Sequence, residues 1–328
     1  MSSINKQKPL KILLLAGGVG GAKAAEGLVN AEMGHEISIL GNIADDQEFH
    51  GLWVSPDIDT LTYSLANVID REQGWGLAGE SHRLLGRLET LGLDTWMSLG
   101  DLDFATHIYR TQARNNGVSA SKIATSIAQS YGVKTDILLP TNDVVQTQVN
   151  TSEGWLSFQE YFVKKRCQPK VLGVRFQGIE DATATPEALT AIAQSDVIIF
   201  APSNPVVSLS PILNTPGIRQ AIEHSRARKV AISPFIGGKT VKGPADKMMA
   251  SAGVDDGLFG VAQLYQGLVH DLVIDHEDQN LTNSVRAMGY QVLESNTLMK
   301  TGEDKQRLMT EVLAFALTQE NATLQVAG

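Results

Sequence analysis

The sequence contains a single cysteine, Cys167, among 328 residues. One thiol excludes an internal disulfide framework and a multi-cysteine metal site. No run of about 18 apolar residues occurs, so no membrane span is expected. Met1 to Pro9 is polar and lysine-containing, without the apolar core of a secretory signal. Positive charge is scarce: 27 Lys and Arg stand against 36 Asp and Glu, a formal net charge of −9. Sequence-independent nucleic-acid binding needs a basic surface, so that class is excluded. The expectation is a soluble cytoplasmic protein that uses neither nucleic acid nor membrane as a partner. The chain is 43% hydrophobic, enough for a large core in one domain or two.

Two common nucleotide motifs are also missing, and they are missing where something similar is present. Gly17-Gly18-Val19-Gly20-Gly21-Ala22-Lys23 follows an apolar run, Ile12 to Leu15, and precedes a helical stripe of Ala25, Leu28 and Val29. This reads as strand, glycine turn and helix start. Glycines let the backbone bend and let amide groups approach an anion at the positive end of a helix. A dinucleotide fingerprint counted from Gly18 and Gly20 would need glycine where Lys23 stands. The strand Ile37 to Leu40 ends in Gly41 and Asn42, without the acid that holds a ribose. A Walker loop counted from Gly17 meets Ala22 in place of its second glycine, and Ala24 after Lys23. The turn predicts phosphate binding without supporting a generic NAD enzyme or a P-loop NTPase. A tight turn with no ligand is the alternative.

Periodicity outlines the rest. Strand, helix and strand are predicted over Leu10–Leu15, Gly20–Met33 and Glu36–Leu40. From Thr60 to Tyr131 only helical patterns occur, including Leu84, Leu85, Leu88 and Leu91, and a helix capped by Ser119. Val144–Thr151 and Trp155–Phe158 flank Glu153-Gly154 and predict a hairpin. Strands then alternate with helices: Val171–Phe176, Val197–Phe200, Val230–Ile232, Leu272–Ile274 and Gln291–Leu293, with a final helix carrying Leu308, Val312 and Phe315. The fold class is α/β: a Rossmann-like parallel sheet with helices on both faces and an inserted helical subdomain. The predicted core is residues 1–59 and 133–328, and the insertion is 60–132. In such sheets ligands bind beyond the carboxyl ends of the strands.

Polar clusters fall at those ends. Asp45 and Asp46, then Ser55-Pro56-Asp57-Ile58-Asp59-Thr60, follow the second strand. Clustered carboxylates suit a hard cation such as Mg²⁺; a solvated loop and a turn with a helix cap are the plainer readings. Leu99-Gly100-Asp101-Leu102-Asp103-Phe104-Ala105-Thr106-His107 adds two acids and a histidine, and Arg110 follows one helical turn after His107. Pro202-Ser203-Asn204-Pro205 follows one strand; Ser233-Pro234 and then Lys242-Gly243-Pro244-Ala245 follow the next. Each is an ordinary turn alone. Their shared position after consecutive strands predicts one composite cleft.

Five ordered segments (the Gly17–Gly21 turn, Val54–Thr60, Leu99–His107, Pro202–Pro205 and Lys242–Ala245) resemble the 2-phospho-L-lactate transferase family of deazaflavin coenzyme biosynthesis. The resemblance implies a Mg²⁺-dependent transferase. It would move a phospholactyl, phosphoenolpyruvyl or phosphoglyceryl group from a guanosine-diphosphate ester to the terminal hydroxyl of the 5-deazaflavin precursor Fo, releasing GMP. A homodimer is the expected assembly. On this reading Asp59 contacts the acceptor and orients or deprotonates its hydroxyl. Gly17, Gly18, Gly20, Gly21 and Lys23 cradle the diphosphate. Asp45, Asp46 and Asp57 are the candidate Mg²⁺ ligands. Ser98, His107, Arg110, Ser203, Asn204, Lys242 and Gly243 complete the substrate site. Leu102 and Ser98 depart from positions that are commonly basic in the family, and Asn142-Asp143 stands where Asp-Asp is frequent. The competing reading is a nucleotide-sugar-binding regulatory protein on a related fold. Gln47-Glu48-Phe49-His50-Gly51 replaces the glycine- and serine-rich run that such proteins carry after Asp-Asp.

Overall fold

The computed structural model describes residues 9–31, 33–241, 243–255 and 257–326, with side chains described as far as residue 318. The chain opens with β1 (Lys11–Ala16), α1 (Gly18–Asn30) and β2 (Glu36–Gly41). A hairpin of β3 (Gln47–Phe49) and β4 (Leu52–Val54) follows. Then come α2 (Pro56–Leu65), α3 (Arg83–Thr90), α4 (Asp101–Asn115) and α5 (Ala120–Ser130) before β5 (Asp136–Leu138). A separate antiparallel sheet is made from β6 (Gln146–Thr151), β7 (Gly154–Ser157) and β8 (Val171–Gln177). The second half runs α6 (Pro186–Gln194), β9 (Val197–Phe200), α7 (Ser210–Asn214), α8 (Ile218–His224) and β10 (Arg228–Ile232). A small hairpin, β11 (Phe235–Ile236) and β12 (Lys239–Thr240), precedes α9 (Ala245–Ser251), α10 (Leu258–Tyr265), β13 (Asp271–Asp275), α11 (Thr282–Ala287), β14 (Gln291–Ser295) and α12 (Gly302–Val326).

The main sheet has the order β14-β13-β10-β9-β1-β2-β5, and every pairing in it is parallel. Its central strands are unbroken apolar runs because both faces are covered. Leu13, Leu15, Ile198, Phe200 and Leu272 point to one core; Ile12, Leu14, Val197, Ile199 and Val230 point to the other. The second core is closed by Ala25 and Leu28 of α1 and by Leu308, Met309, Val312 and Leu313 of α12. Phe315, predicted on that stripe, is only partly buried. Each fully buried leucine or isoleucine contributes about 1.5–3 kcal/mol.

The chain builds outward from β1 to β2 and β5, then returns to the other side of β1 for β9, β10, β13 and β14. The order reverses between β1 and β9, so the crevice expected to take a ligand lies beyond Ala16 and Phe200. Gly17 and the 201–205 segment follow those two strand ends directly.

The predicted alternation holds along the main sheet, with two differences. Sequence order places β8 in the parallel series, yet it pairs antiparallel with β6. Its sequence, VLGVRFQ, is half-exposed and alternating, unlike the fully buried VIIF of β9. The β3–β4 hairpin is not among the predicted elements. It covers a satellite core of Phe49, Val54, Leu85, Leu99 and Phe104. The boundary predicted at 59/60 falls inside α2, which packs against α1 of the core.

Candidate active site

Gly17 is extended, and Gly18 takes a left-handed φ of 62°, where a glycine is favoured. This turn delivers α1 to the crevice with no acidic side chain in its first turn. The turn is tightly enclosed. A Cβ on Gly17 would come 2.8 Å from Asp57 Oδ2, and one on Gly21 would come 2.9 Å from Ser203 Oγ. Ser203 Oγ donates to the Gly17 carbonyl at 2.7 Å and accepts from the Gly17 amide at 3.3 Å. Two sequence-distant turns are thereby joined at the reversal point of the sheet.

Asp57 joins the same junction. Its Oδ2 accepts from Asn42 Nδ2 at 2.9 Å, and its carboxylate also accepts from the Gly18 amide. Burial pushes its pKa up to about 6 against those donors. Asp45 and Asp46 are buried beside it. Burial, with Asp57 and Asp46 adding repulsion, raises Asp45 well above the carboxylate range. Burial lifts Asp46 to about 7, although Ser55 Oγ donates to its Oδ2 at 2.7 Å and Trp53 Nε1 at 3.1 Å. Asp45 Oδ1 and Asp46 Oδ1 accept no hydrogen bond among the described residues.

Two residues along α2, on the opposite side of the helix from Asp57, Asp59 faces α4. Arg110 Nη2 donates to Asp59 Oδ1, and both residues are buried. Arg110 Nη1 lies 3.0 Å from His107 Nδ1. His107 Nε2 lies 3.5 Å from Asp103 Oδ2. Tyr63 donates to Asp103 Oδ1 at 2.7 Å. Spacing by three and four residues puts Asp103, His107 and Arg110 on one helix face. Burial holds Asp59 above the usual carboxylate range, outweighing the Arg110 charge. Burial also opposes ionisation of Asp103, but the donors facing it, His107 and Tyr63, leave its pKa lowered. Asp59 Oδ2 is buried and accepts no hydrogen bond among the described residues.

A small cleft between the two groups is lined by Asp46, Trp53, Ser55, Arg110, Arg114 and Asp143 with apolar neighbours, while Asp45, Asp57, Asp59 and Asp103 lie behind its wall. Arg114 stacks over the Trp53 ring at 4.1 Å. Neither Trp53 nor Arg114 is singled out by sequence; a tryptophan next to a strand end carries no spacing signal.

The structure sorts the predicted residues. Gly17, Gly18, Gly20, Gly21, Ser203 and Asp57 meet at one junction. Asp59, His107 and Arg110 meet at another, with His107 and Arg110 facing Asp59 rather than solvent. Lys23 directs its ammonium to the Met299 carbonyl at 3.0 Å. Asn204 Oδ1 accepts from the Val206 and Val207 amides, a local cap. Ser98 is exposed, and Gly243 has a φ of 86° ahead of α9. Lys242 lies outside the described residues. Among the described residues, the group of His, Cys, Asp and Glu whose ligand atoms converge within 4.8 Å is Asp59, Asp103 and His107, not the predicted Asp45, Asp46 and Asp57. No described helix is long and apolar enough to cross a membrane.

Comparisons with known proteins place the chain among transferases. The family model described as 2-phospho-L-lactate transferase CofD matches residues 12–314. A 2-phospho-L-lactate transferase of Methanosarcina mazei is 32% identical over 305 residues, 93% of this chain and 100% of the relative. A phosphoenolpyruvate transferase of Streptomyces coelicolor is 39% identical over 286 residues, 85% of this chain and 90% of the relative. Among solved structures, a UPF0052-family protein of Bacillus halodurans aligns with a TM-score of 0.62 at 16% identity, covering 94% of this chain and 100% of that one. That likeness shows the shared fold. With the matched length and these identities, the chain belongs to the 2-phospho-L-lactate transferase family, a family of transferases in deazaflavin coenzyme biosynthesis.

Proposed function

We propose that this protein transfers a phosphorylated small acid from a guanosine-diphosphate ester to the terminal hydroxyl of the deazaflavin precursor Fo, releasing GMP. The observation that carries the reading is Asp59: one carboxylate oxygen is fixed by Arg110, and the other is buried and accepts nothing among the described residues. A hydroxyl presented to Oδ2 meets a fixed acceptor for its proton. The new bond forms between that hydroxyl oxygen and the phosphorus carrying the acid. The bond to the bridging oxygen of the diphosphate breaks, and GMP leaves with the electron pair. Little covalent chemistry is required of the protein, so positioning and charge neutralisation dominate.

Asp45 and Asp46, with Asp57 beside them, would hold Mg²⁺. Asp45 Oδ1 and Asp46 Oδ1, buried and without a hydrogen bond among the described residues, are hard donors, and a cation would relieve the repulsion that Asp57 and Asp46 exert on Asp45. Bound there, Mg²⁺ supplies positive charge to the diphosphate. The N-terminal end of α1 contributes backbone dipoles at the same rim. Lactate, enolpyruvate and glycerate donors differ by small groups, which a pocket separates weakly unless it hydrogen-bonds them. Two copies of the chain form the assembly, which light scattering would check.

The test is incubation of the purified protein with Fo, Mg²⁺ and each guanylylated acid, read by mass spectrometry. Phosphodiester product and GMP are expected with at least one donor. No product with any of the three, together with calorimetric binding of a UDP-sugar but not GDP, would replace this reading with the regulatory one.

A further inference from the structure

Asp59, Asp103 and His107 have the composition of a metal site, but Arg110 lies among them. An arginine nitrogen only donates hydrogen bonds. The 3.0 Å approach of Arg110 Nη1 to His107 Nδ1 therefore makes Nδ1 the acceptor. The ring proton then sits on Nε2, which faces Asp103 Oδ2 at 3.5 Å, an electrostatic approach rather than a hydrogen bond among the described residues. Asp103 is held in turn by Tyr63, at 2.7 Å, and its backbone amide donates to Glu80 at 2.8 Å. All four residues are buried: Tyr63 is 1% exposed, Asp103 8%, His107 1% and Arg110 4%. A guanidinium already bonded to Asp59 Oδ1 provides the positive charge that a cation would bring, and it would repel one.

The geometry points to Tyr63, Asp103, His107 and Arg110 as a buried relay of positioning residues that fixes the Asp59 carboxylate, rather than as metal ligands or substrate contacts. Tyr63 orients Asp103, the Asp103 charge faces the Nε2 proton, and His107 Nδ1, accepting from Arg110, holds the guanidinium against Asp59 Oδ1. The relay leaves Oδ2, which lies 3.8 Å from His107 Nδ1 and accepts no hydrogen bond among the described residues, as the oxygen with free acceptor capacity for a reacting hydroxyl. A base oriented by a chain of partners is a recurrent device, and a small misplacement of such a group is costly. The inference deepens the proposed reaction and rests on it for the role of Oδ2. The relay itself has a readout that does not depend on turnover.

Two measurements test it. The first is nitrogen NMR of the histidine-labelled protein, with the His107 signal identified by its loss in His107→Gln. The relay requires a protonated Nε2 and a bare Nδ1, both unchanged when Mg²⁺ is added. A proton on Nδ1, or a His107 signal that moves with Mg²⁺, overturns it. The second is steady-state kinetics of Tyr63→Phe, Asp103→Asn and Arg110→Lys on the transfer reaction. Arg110→Lys is expected to lose about 10²-fold in kcat, with little change in KM for the guanylylated donor. Asp103→Asn should lose less, and adding Tyr63→Phe to it should cost little more, because residues acting in series are not additive. The Mg²⁺ concentration for half activity should stay constant across the series. Asp103→Asn at wild-type kcat, or with a raised Mg²⁺ requirement, overturns the relay. A wild-type protein that transfers nothing to Fo defeats the proposed reaction instead, and the tautomer measurement then decides the relay alone.

Discussion

Gly20 lies directly against Pro202: a Cβ at residue 20 would overlap the Pro202 carbonyl oxygen. The glycines of the first turn are therefore needed for packing as well as for backbone freedom. They let α1 close on the segment that follows β9, and Ser203 then bonds Gly17 across the same junction.

Gly20→Ala is expected to destabilise the fold by about 1–3 kcal/mol through overpacking, because the obstacle is backbone and cannot rotate away. The helix-propensity gain of about 1 kcal/mol works in the opposite direction and is smaller than the strain. Gly86, in α3, is the control. A methyl group added there would have open space within 4 Å, and its φ is not positive, so Gly86→Ala should stabilise by about 0.5–1 kcal/mol. Urea unfolding of the two variants should show opposite signs. Equal effects would mean that Gly20 is not under contact constraint.

Asp59→Asn should retain the fold and lose about 10²–10⁴-fold in transfer rate, the range for removing a positioned general base. The amide oxygen can still accept from Arg110, so the carboxylate charge is the main thing lost. Product formation by mass spectrometry is the measure, with circular dichroism to verify folding. Activity near wild type would remove Asp59 from the chemistry.

Much of this arrangement is legible in the sequence, and the failures have physical causes. β9 announces itself as a short, wholly apolar run between amphipathic helices, the pattern of a strand buried on both faces, and β10 shows the same run over Val230–Ile232. β8 contains Arg175 and Gln177 and alternates, which is the pattern of a half-exposed antiparallel strand. Its position in a series of alternating elements misleads; its composition points correctly. β3 and β4 are three residues each, too short to display a period. Asp103, His107 and Arg110 are recognisable as one helical face by spacing. That Arg110 turns to Asp59, 51 positions away in the chain, is a tertiary fact that no local pattern contains. The Lys23 contact with Met299 is of the same kind.

The acidic cluster sets a pH dependence. In metal-free protein, burial raises Asp46 to about 7 and Asp57 to about 6, from a reference of 3.8. The folded state therefore binds more protons than the unfolded state between these values, and stability falls as pH rises. With chelator present, unfolding free energy should decline from about pH 4 to pH 7 and then level off. Asp46→Asn should flatten the upper part of that decline. Adding Mg²⁺ should stabilise the protein most above pH 7, where the carboxylates are ionised and ready to bind it. A stabilisation by Mg²⁺ that does not grow with pH would place the ion away from these aspartates.

Glu26 makes the last case, and it decides between a buried and an exposed ion pair on the same carboxylate. Its Oε2 accepts from Lys305 Nζ of α12 at 2.9 Å and from Arg71 Nη1, beyond α2, at 2.5 Å. Lys305 has a side chain 7% exposed, whereas that of Arg71 is 44% exposed. Glu26→Ala strands the buried Lys305 ammonium without its partner and should cost about 3–5 kcal/mol. Arg71→Ala removes a solvated partner and should cost about 0–1 kcal/mol. Converting both members of the buried pair, with Glu26→Gln and Lys305→Met, should recover much of the Glu26→Ala loss, because no uncompensated charge is left inside. Urea unfolding of the four proteins would check the order. A Glu26→Ala cost no greater than that of Arg71→Ala would mean that Lys305 reaches water once its partner is gone, and that the contact of α1 with α12 does not depend on this charge pair.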